Sequence, residues 1–314
     1  MKIAFCCSDT APGPWLAGLT AALPQARIEV WPDDGTPPAG HDGEPADYAV
    51  VWKPPQRFLD AQPRLKALFN AGAGVDALLP LTLPPGLPII RLEDAGMAAQ
   101  MSEYVLHTLL RYFREFDAFE ASARAGVWAD RVPRLHQDCP VGVMGLGVLG
   151  AHVAREVARF GFPVHGWSRS PRSIEGVRTY SGAQGLQEFL GATRVLVNLL
   201  PLTPETENLL NRGTLGRLQP GGYLINVARG GHVVDDDLLA LLDSGHLAGA
   251  TLDVFRTEPL PPEHPFWRHP RIHVTPHISA LTLEDVSIAQ IADKLARFVR
   301  GEPVSGVVDP ARGY

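Results

Sequence analysis

The stretch VGVMGLGVLG, residues 141–150, limits the fold more than any other part of the chain. Gly145, Gly147 and Gly150 stand at G-x-G-x-x-G spacing, with an apolar run before them and AHVAREVARFG at helical spacing after them. A strand, turn and helix of this kind can hold a pyrophosphate. The first glycine permits the tight turn, the second lets phosphates approach the backbone, and the third lets helix and strand pack closely. The helix N-terminus then faces the negative charge. In a chain with 31 glycines the bare spacing can arise by chance, so the flanking strand and helix carry the weight.

Short apolar runs alternate with helical patterns along all 314 residues. KIAFCC, DYAVVW, LKALFNAG and LPIIRL come first; VGVMG, PVHGW, TRVLVNLL, GYLINVA, AGATLDVF and RIHVTP follow. This alternation predicts α/β architecture with two doubly wound parallel-sheet domains. Between them AAQMSEYVLHTLLRYFREFDAFEASARAG, free of proline, predicts one long helix stopped at Gly126. A last amphipathic stretch, LEDVSIAQIADKLARFVRGEP, follows the last expected strand of the second unit and can return to the first. The expected division is therefore a discontinuous substrate domain, 1–98 plus 282–314, flavodoxin-like, into which a Rossmann-type dinucleotide-binding domain, 99–281, is inserted. PDDGTPPAGHDGEP reads as a surface loop.

A net charge of −6 with 20% charged residues gives no footprint for nucleic acid, and no run is long enough for a membrane span. MKIAFCCSDT is too short in its apolar part for a signal peptide, so cytoplasmic residence is expected. Cys6, Cys7 and Cys139 lack metal-ligand spacing and read as inert core thiols.

Three later strand ends carry charged groups where an open α/β sheet places its ligand. They are INVARGG with Arg229, LDVFRTEPLPP with Asp253 and Glu258, and VTPHISA with His277. Taken singly, Arg229 can be a surface cation, Glu258 a loop carboxylate and His277 a structural histidine. Together they suit reduction of a 2-oxo acid. The guanidinium fork holds the carboxylate and polarises the carbonyl, and a histidine supplies the proton. A carboxylate beside that histidine favours the imidazolium and fixes its ring. His264, His269, His273 and His277 suggest a metal site, but Pro265, Pro270 and Pro276 break the helix that their spacing would need, so no metal is expected.

GLGVLG, LLPLTPET, LINVARG, LDVFRTEPLP and TPHISA occur in this order, and in them the chain resembles the D-isomer-specific 2-hydroxyacid dehydrogenases over nearly its whole length. WSRS, NLLP, VVDDDLLALLDSG and the ending VDPARGY resemble a subgroup acting on glyoxylate and hydroxypyruvate. The resemblance implies that Arg229 binds substrate carboxylate and carbonyl, that Glu258 supports His277, and that His277 is the acid in reduction and the base in oxidation. It implies cofactor contacts at Gly145, Leu146, Gly147, Val148, Leu149, Gly150, Leu200, Pro201, Thr206, Val227 and Ala228. Asp253 would orient the nicotinamide amide. Ala73 and Gly74, in NAGAGVD, match a loop whose peptide N–H groups meet the carboxylate; an ordinary glycine turn is the plainer reading.

Trp52 is a further candidate for lining the substrate site. Lys53 reads equally as a second anion contact or a solvated lysine, and Ser279 stands where many relatives carry glycine. Also implied are a site in the cleft between the domains and a homodimer. The remaining alternatives are the same chemistry on a bulkier 2-oxo acid, or a non-catalytic dinucleotide sensor on the same fold.

HGWSRSPRS sets the cofactor expectation. An acidic residue about 20 positions after the glycine turn accepts a bond from a ribose 2′-OH and repels a 2′-phosphate. Here Ser168 and Arg169 stand at that place, Arg169 lying 19 residues beyond Gly150, with Arg172 nearby. A hydroxyl and a guanidinium suit the phosphate, so NADP(H) is expected over NAD(H), which remains usable. A solvated basic turn is the plainer alternative.

Overall fold

The computed structural model describes residues 1–8 and 10–309, so the last part of the VDPARGY ending lies outside the described residues. The chain divides into two compact units, one of Met1–Gly96 with the stretch from Thr282 onward, the other Met97–Leu281.

The first unit runs β1 (Lys2–Cys7), α1 (Pro12–Ala22), β2 (Arg27–Val30), β3 (Tyr48–Trp52), α2 (Gln56–Asp60), β4 (Ala67–Asn70) and β5 (Ile89–Arg91). Its strands form a parallel sheet in the order β2-β1-β3-β4-β5. The unbroken apolar run of β1 follows from burial on both faces. Ile3, Phe5 and Cys7 join the core containing Trp15 and Leu19, whereas Ala4 and Cys6 join that containing Phe58 and Leu59. Burial pushes the Cys6 thiol up to about 12 and that of Cys139, in the second unit, to about 11. Both stay protonated and unreactive.

The second unit runs α3 (Met97–Phe113), α4 (Phe116–Arg124), β6 (Val141–Met144), α5 (Val148–Arg159), β7 (Val164–Ser168), β8 (Val177–Ser181), α6 (Gly182–Gly191), β9 (Val195–Asn198), α7 (Arg212–Leu215), β10 (Gly222–Asn226), α8 (Asp235–Asp243), β11 (Leu247–Leu252) and β12 (Ile272–Val274). Its parallel sheet has the order β12-β11-β10-β9-β6-β7-β8. Strand order therefore reverses between β6 and β9, and the glycine turn leaves the carboxyl end of β6 there. The last helix, α9 (Glu284–Val299), belongs to the first unit, where Ile288, Ile291 and Leu295 join the core under α1.

Two expectations need correction. The long helix is broken, because Glu115 takes a left-handed conformation (φ 56°) between α3 and α4. Its carboxylate is held by Arg131 and Arg134, 3.0 and 3.2 Å away. The apolar stripe of α3 is buried to Phe113, whereas no residue of α4 is buried, so no packing keeps the two collinear. Strands β2 and β8 were not expected from RIEV and VRTYS. Both are polar, half-exposed sheet edges that lack the apolar run of a central strand. Among the described residues no helix is long and apolar enough to cross a membrane.

Candidate functional site

The glycine turn has the geometry its spacing demands. Gly145 has φ 101°, and a Cβ there would lie 2.7 Å from the Leu199 carbonyl oxygen. A Cβ on Gly150 would lie 1.8 Å from the Gly145 oxygen, so α5 can seat on β6 only without one. Gly147, the N-cap of α5, faces open space, which is what a pyrophosphate needs. Leu146 is buried beneath the turn, while Val148 and Leu149 open the helix. At the end of β7 the Ser168 hydroxyl donates to the Ser170 carbonyl at 2.8 Å, and Arg169 is exposed. Hydrogen bonds, chiefly from Thr203, and the nearby Arg169 charge hold the Glu205 carboxyl below its ordinary range.

The loop after β9 is tied internally, with Thr206 donating its hydroxyl to the Pro201 carbonyl (2.7 Å) and accepting from the Thr203 amide (2.8 Å). Beneath it are three fully buried polar side chains, Asn198, Asn226 and His232. Asn198 Nδ2 donates to Asn226 Oδ1 at 3.0 Å and faces His232 Nδ1 at 3.1 Å, while Asn198 Oδ1 accepts from the Leu200 amide. Asn226 Nδ2 donates to the Arg229 carbonyl at 3.0 Å, and Asn226 Oδ1 accepts from the Ala228 amide. The Val227 amide donates to the Asn198 carbonyl.

Arg229 follows on the next turn, its Nη1 donating to the Ala228 carbonyl at 2.7 Å. A Cβ on Gly230 would lie 1.8 Å from the Phe255 carbonyl carbon, so this turn packs directly on the backbone that leads to Glu258. Arg256 adds a clamp, its Nη2 donating to the carbonyls of Gly231 and Val233. Glu258 Oε1 accepts from the Phe255 amide at 2.9 Å, and Oε2 lies 2.8 Å from His277 Nδ1. Burial raises the Glu258 carboxyl, but hydrogen bonds from His277 and Phe255 with the charges of His277 and Arg229 outweigh it and hold the group below its ordinary range. The three expected residues are thus within one electrostatic neighbourhood.

His277 has φ 55°, a strained conformation for histidine. Asp253, fully buried, sustains it. Oδ1 accepts from the Thr275 hydroxyl (2.6 Å) and the Ile278 amide (2.8 Å), Oδ2 from the Ser279 amide (2.8 Å), and the Asp253 carbonyl from the His277 amide (2.8 Å). Tyr104 extends this chain, its hydroxyl 2.5 Å from Thr275 Oγ1. The sequence reading did not single out Asn198, Asn226, His232, Thr275 or Tyr104. The two asparagines closing the apolar runs VLVN and YLIN were the available signal. The other histidines disperse, His264 to Asp235, His269 to Asp243 and His273 to Asp117.

In the first unit the Trp52 ring covers Gly72, where a Cβ would meet it at 2.1 Å. Asn70 Nδ2 donates to the carbonyls of Gly72 and Gly74, and Arg91 Nη1 to that of Ala73. With three successive carbonyls so engaged, the peptide N–H groups are what the loop can offer an anion. Lys53 has φ 47°, its ammonium 5.7 Å from the Trp52 ring.

Residues 106–279 match the D-isomer specific 2-hydroxyacid dehydrogenase, NAD binding domain. The chain is 49% identical over 306 residues to a glyoxylate/hydroxypyruvate reductase A of Serratia proteamaculans, and 45% to one of Yersinia enterocolitica, covering 96% of each chain. A D-isomer specific 2-hydroxyacid dehydrogenase of Xanthobacter autotrophicus Py2, solved with NADPH and MES, superposes with TM-score 0.94 at 42% identity. An NADPH-dependent glyoxylate/hydroxypyruvate reductase of Sinorhizobium meliloti, solved with NADP and sulfate, does so at 0.90 and 40%. Each comparison covers 100% of this chain and 99% of the other. On identity sustained over nearly its full length, the chain belongs to the D-isomer specific 2-hydroxyacid dehydrogenase family.

Proposed function

We propose that this protein reduces small 2-oxo acids with NADPH, glyoxylate to glycolate and hydroxypyruvate to D-glycerate. The observation that carries this reading is the Glu258–His277 pair beside the Arg229 turn, on the unit that also holds the glycine cradle. When bound, the reduced cofactor would supply a hydride to C2 of the acid. His277 gives its Nε2 proton to the nascent alkoxide, Glu258 holds the opposite ring nitrogen, and Arg229 binds the carboxylate and polarises the carbonyl. The turn at 145–150, Ser168, Arg169, Leu200, Pro201, Thr206, Val227, Ala228 and Asp253 are the cofactor-binding candidates, with NADH the poorer donor. In this reading the second unit is the dinucleotide domain and the first the substrate domain, whose loop at Ala73 and Gly74 offers N–H groups to a carboxylate, with Trp52 beside it.

The test is NADPH oxidation with glyoxylate, hydroxypyruvate and phenylpyruvate. Preference for the first two supports the reading, preference for phenylpyruvate moves it to bulkier acids, and no turnover with any 2-oxo acid leaves a cofactor sensor.

Cytoplasmic residence and a homodimer complete the proposal. Three free, buried thiols suit a reducing compartment. Trp128, Val132 and Leu135, 95%, 87% and 56% exposed, are large apolar side chains that a second copy would cover. Light scattering decides the assembly: a dimer made monomeric by Trp128→Asp supports it, and a monomeric wild type refutes it.

A further inference from the structure

We infer that His232 is a positioning residue that locks the Arg229 turn to the cofactor loop 200–206, an inference that rests on the function proposed above. Its imidazole is fully buried between the ends of β9 and β10, with Nε2 3.2 Å from the Pro201 carbonyl oxygen and Nδ1 3.0 Å from the Arg229 carbonyl oxygen. Nδ1 lies 3.1 Å from Asn198 Nδ2 and 3.0 Å from the Arg229 carbonyl oxygen, while Nε2 faces the Pro201 carbonyl oxygen, which can only accept, so Nε2–H donates to Pro201. The Arg229 carbonyl is served by Asn226 Nδ2. The imidazole thus completes a buried network that links the two asparagines, the Arg229 turn and Pro201.

The placement is specific. Backbone hydrogen bonds from Asn208 and Leu210 to the carbonyls of Gly231 and His232 already join the far end of the loop to this turn. The near end, beside the Leu199 carbonyl that contacts Gly145, is joined through the His232 side chain to Pro201. Losing that bond frees the segment between the glycine cradle and the substrate arginine, which are the two parts that align hydride donor and acceptor.

Three variants of the full-length protein test this. His232→Gln retains a donor that reaches Pro201, His232→Asn is too short to do so, and His232→Leu fills the space without one. With folding verified by circular dichroism and rates measured well below each Tm, Asn and Leu should raise KM for glyoxylate and NADPH at least about fivefold, kcat falling less, while Gln stays within about twofold of wild type. Hydrogen–deuterium exchange of the ligand-free protein should quicken in 200–206 and 228–233 for Asn but not Gln. A lowered Tm with unchanged KM and unchanged exchange in those two segments would reduce His232 to a core residue and overturn the inference. If the wild type turns over no 2-oxo acid, the proposed function fails by itself, and the exchange data still decide whether His232 links the two segments.

Discussion

Glu258 Oε2 lies 2.8 Å from His277 Nδ1, which commits that ring nitrogen to the carboxylate and leaves Nε2 as the atom able to hand on a proton. The pair joins two loops 19 residues apart in sequence, after β11 and after β12. The strain at His277 is held by Asp253 from below, so the histidine backbone and its ring are fixed by separate carboxylates, Asp253 and Glu258.

His277→Ala should lower kcat about 10²- to 10⁴-fold while NADPH affinity, read by quenching of protein fluorescence, changes little. Arg229→Ala should lower kcat and also raise the KM for glyoxylate at least about tenfold, since it removes a charged hydrogen-bond donor from the substrate carboxylate. Near-normal turnover by His277→Ala at neutral pH would remove the histidine from the chemistry.

The depressed Glu258 carboxyl has a pH signature. A lowered folded value keeps the group ionised at and above the ordinary 4.5, and its pairing is lost only as pH falls through the lower value. The profile of kcat/KM for reduction should therefore show no acid limb from this group between about pH 5 and 7. A limb there that disappears in Glu258→Gln would contradict the assignment.

Arg169→Asp should cut the ratio of kcat/KM for NADPH over NADH about a hundredfold, because a charge-assisted contact to the 2′-phosphate becomes a repulsion. Steady-state comparison of the two cofactors gives the answer. An unchanged ratio would return Arg169 to the solvated surface.

Gly230→Ala places a methyl 1.8 Å from the Phe255 carbonyl carbon, a contact that only backbone movement relieves. Urea unfolding should show about 2–3 kcal/mol lost stability. Because the displaced turn carries Arg229, KM for glyoxylate should rise in the protein that remains folded. Full stability with normal KM would show that the two loops are not in rigid contact.

Much of this was legible in the chain because it is local. Strand–turn–helix chemistry at 141–159, apolar runs buried on both faces, and charged residues at strand ends all depend on neighbours in sequence. Edge strands β2 and β8 were hidden by their polarity, and the break at Glu115 by the absence of any local breaker. Its left-handed residue is set by arginines 16 and 19 positions on.

Residue types and spacing were enough to determine the two α/β units and to mark the glycine turn at 145–150 and Arg229, Glu258 and His277 as candidates. Which groups pair was decided by tertiary structure. Asn198 meets His232 across 34 residues, and Asp253 meets the Ile278 amide across 25, because parallel strand order brings the ends of β9, β10, β11 and β12 side by side. A buried polar group must find its partner wherever the folded chain delivers one, and sequence spacing does not record that delivery.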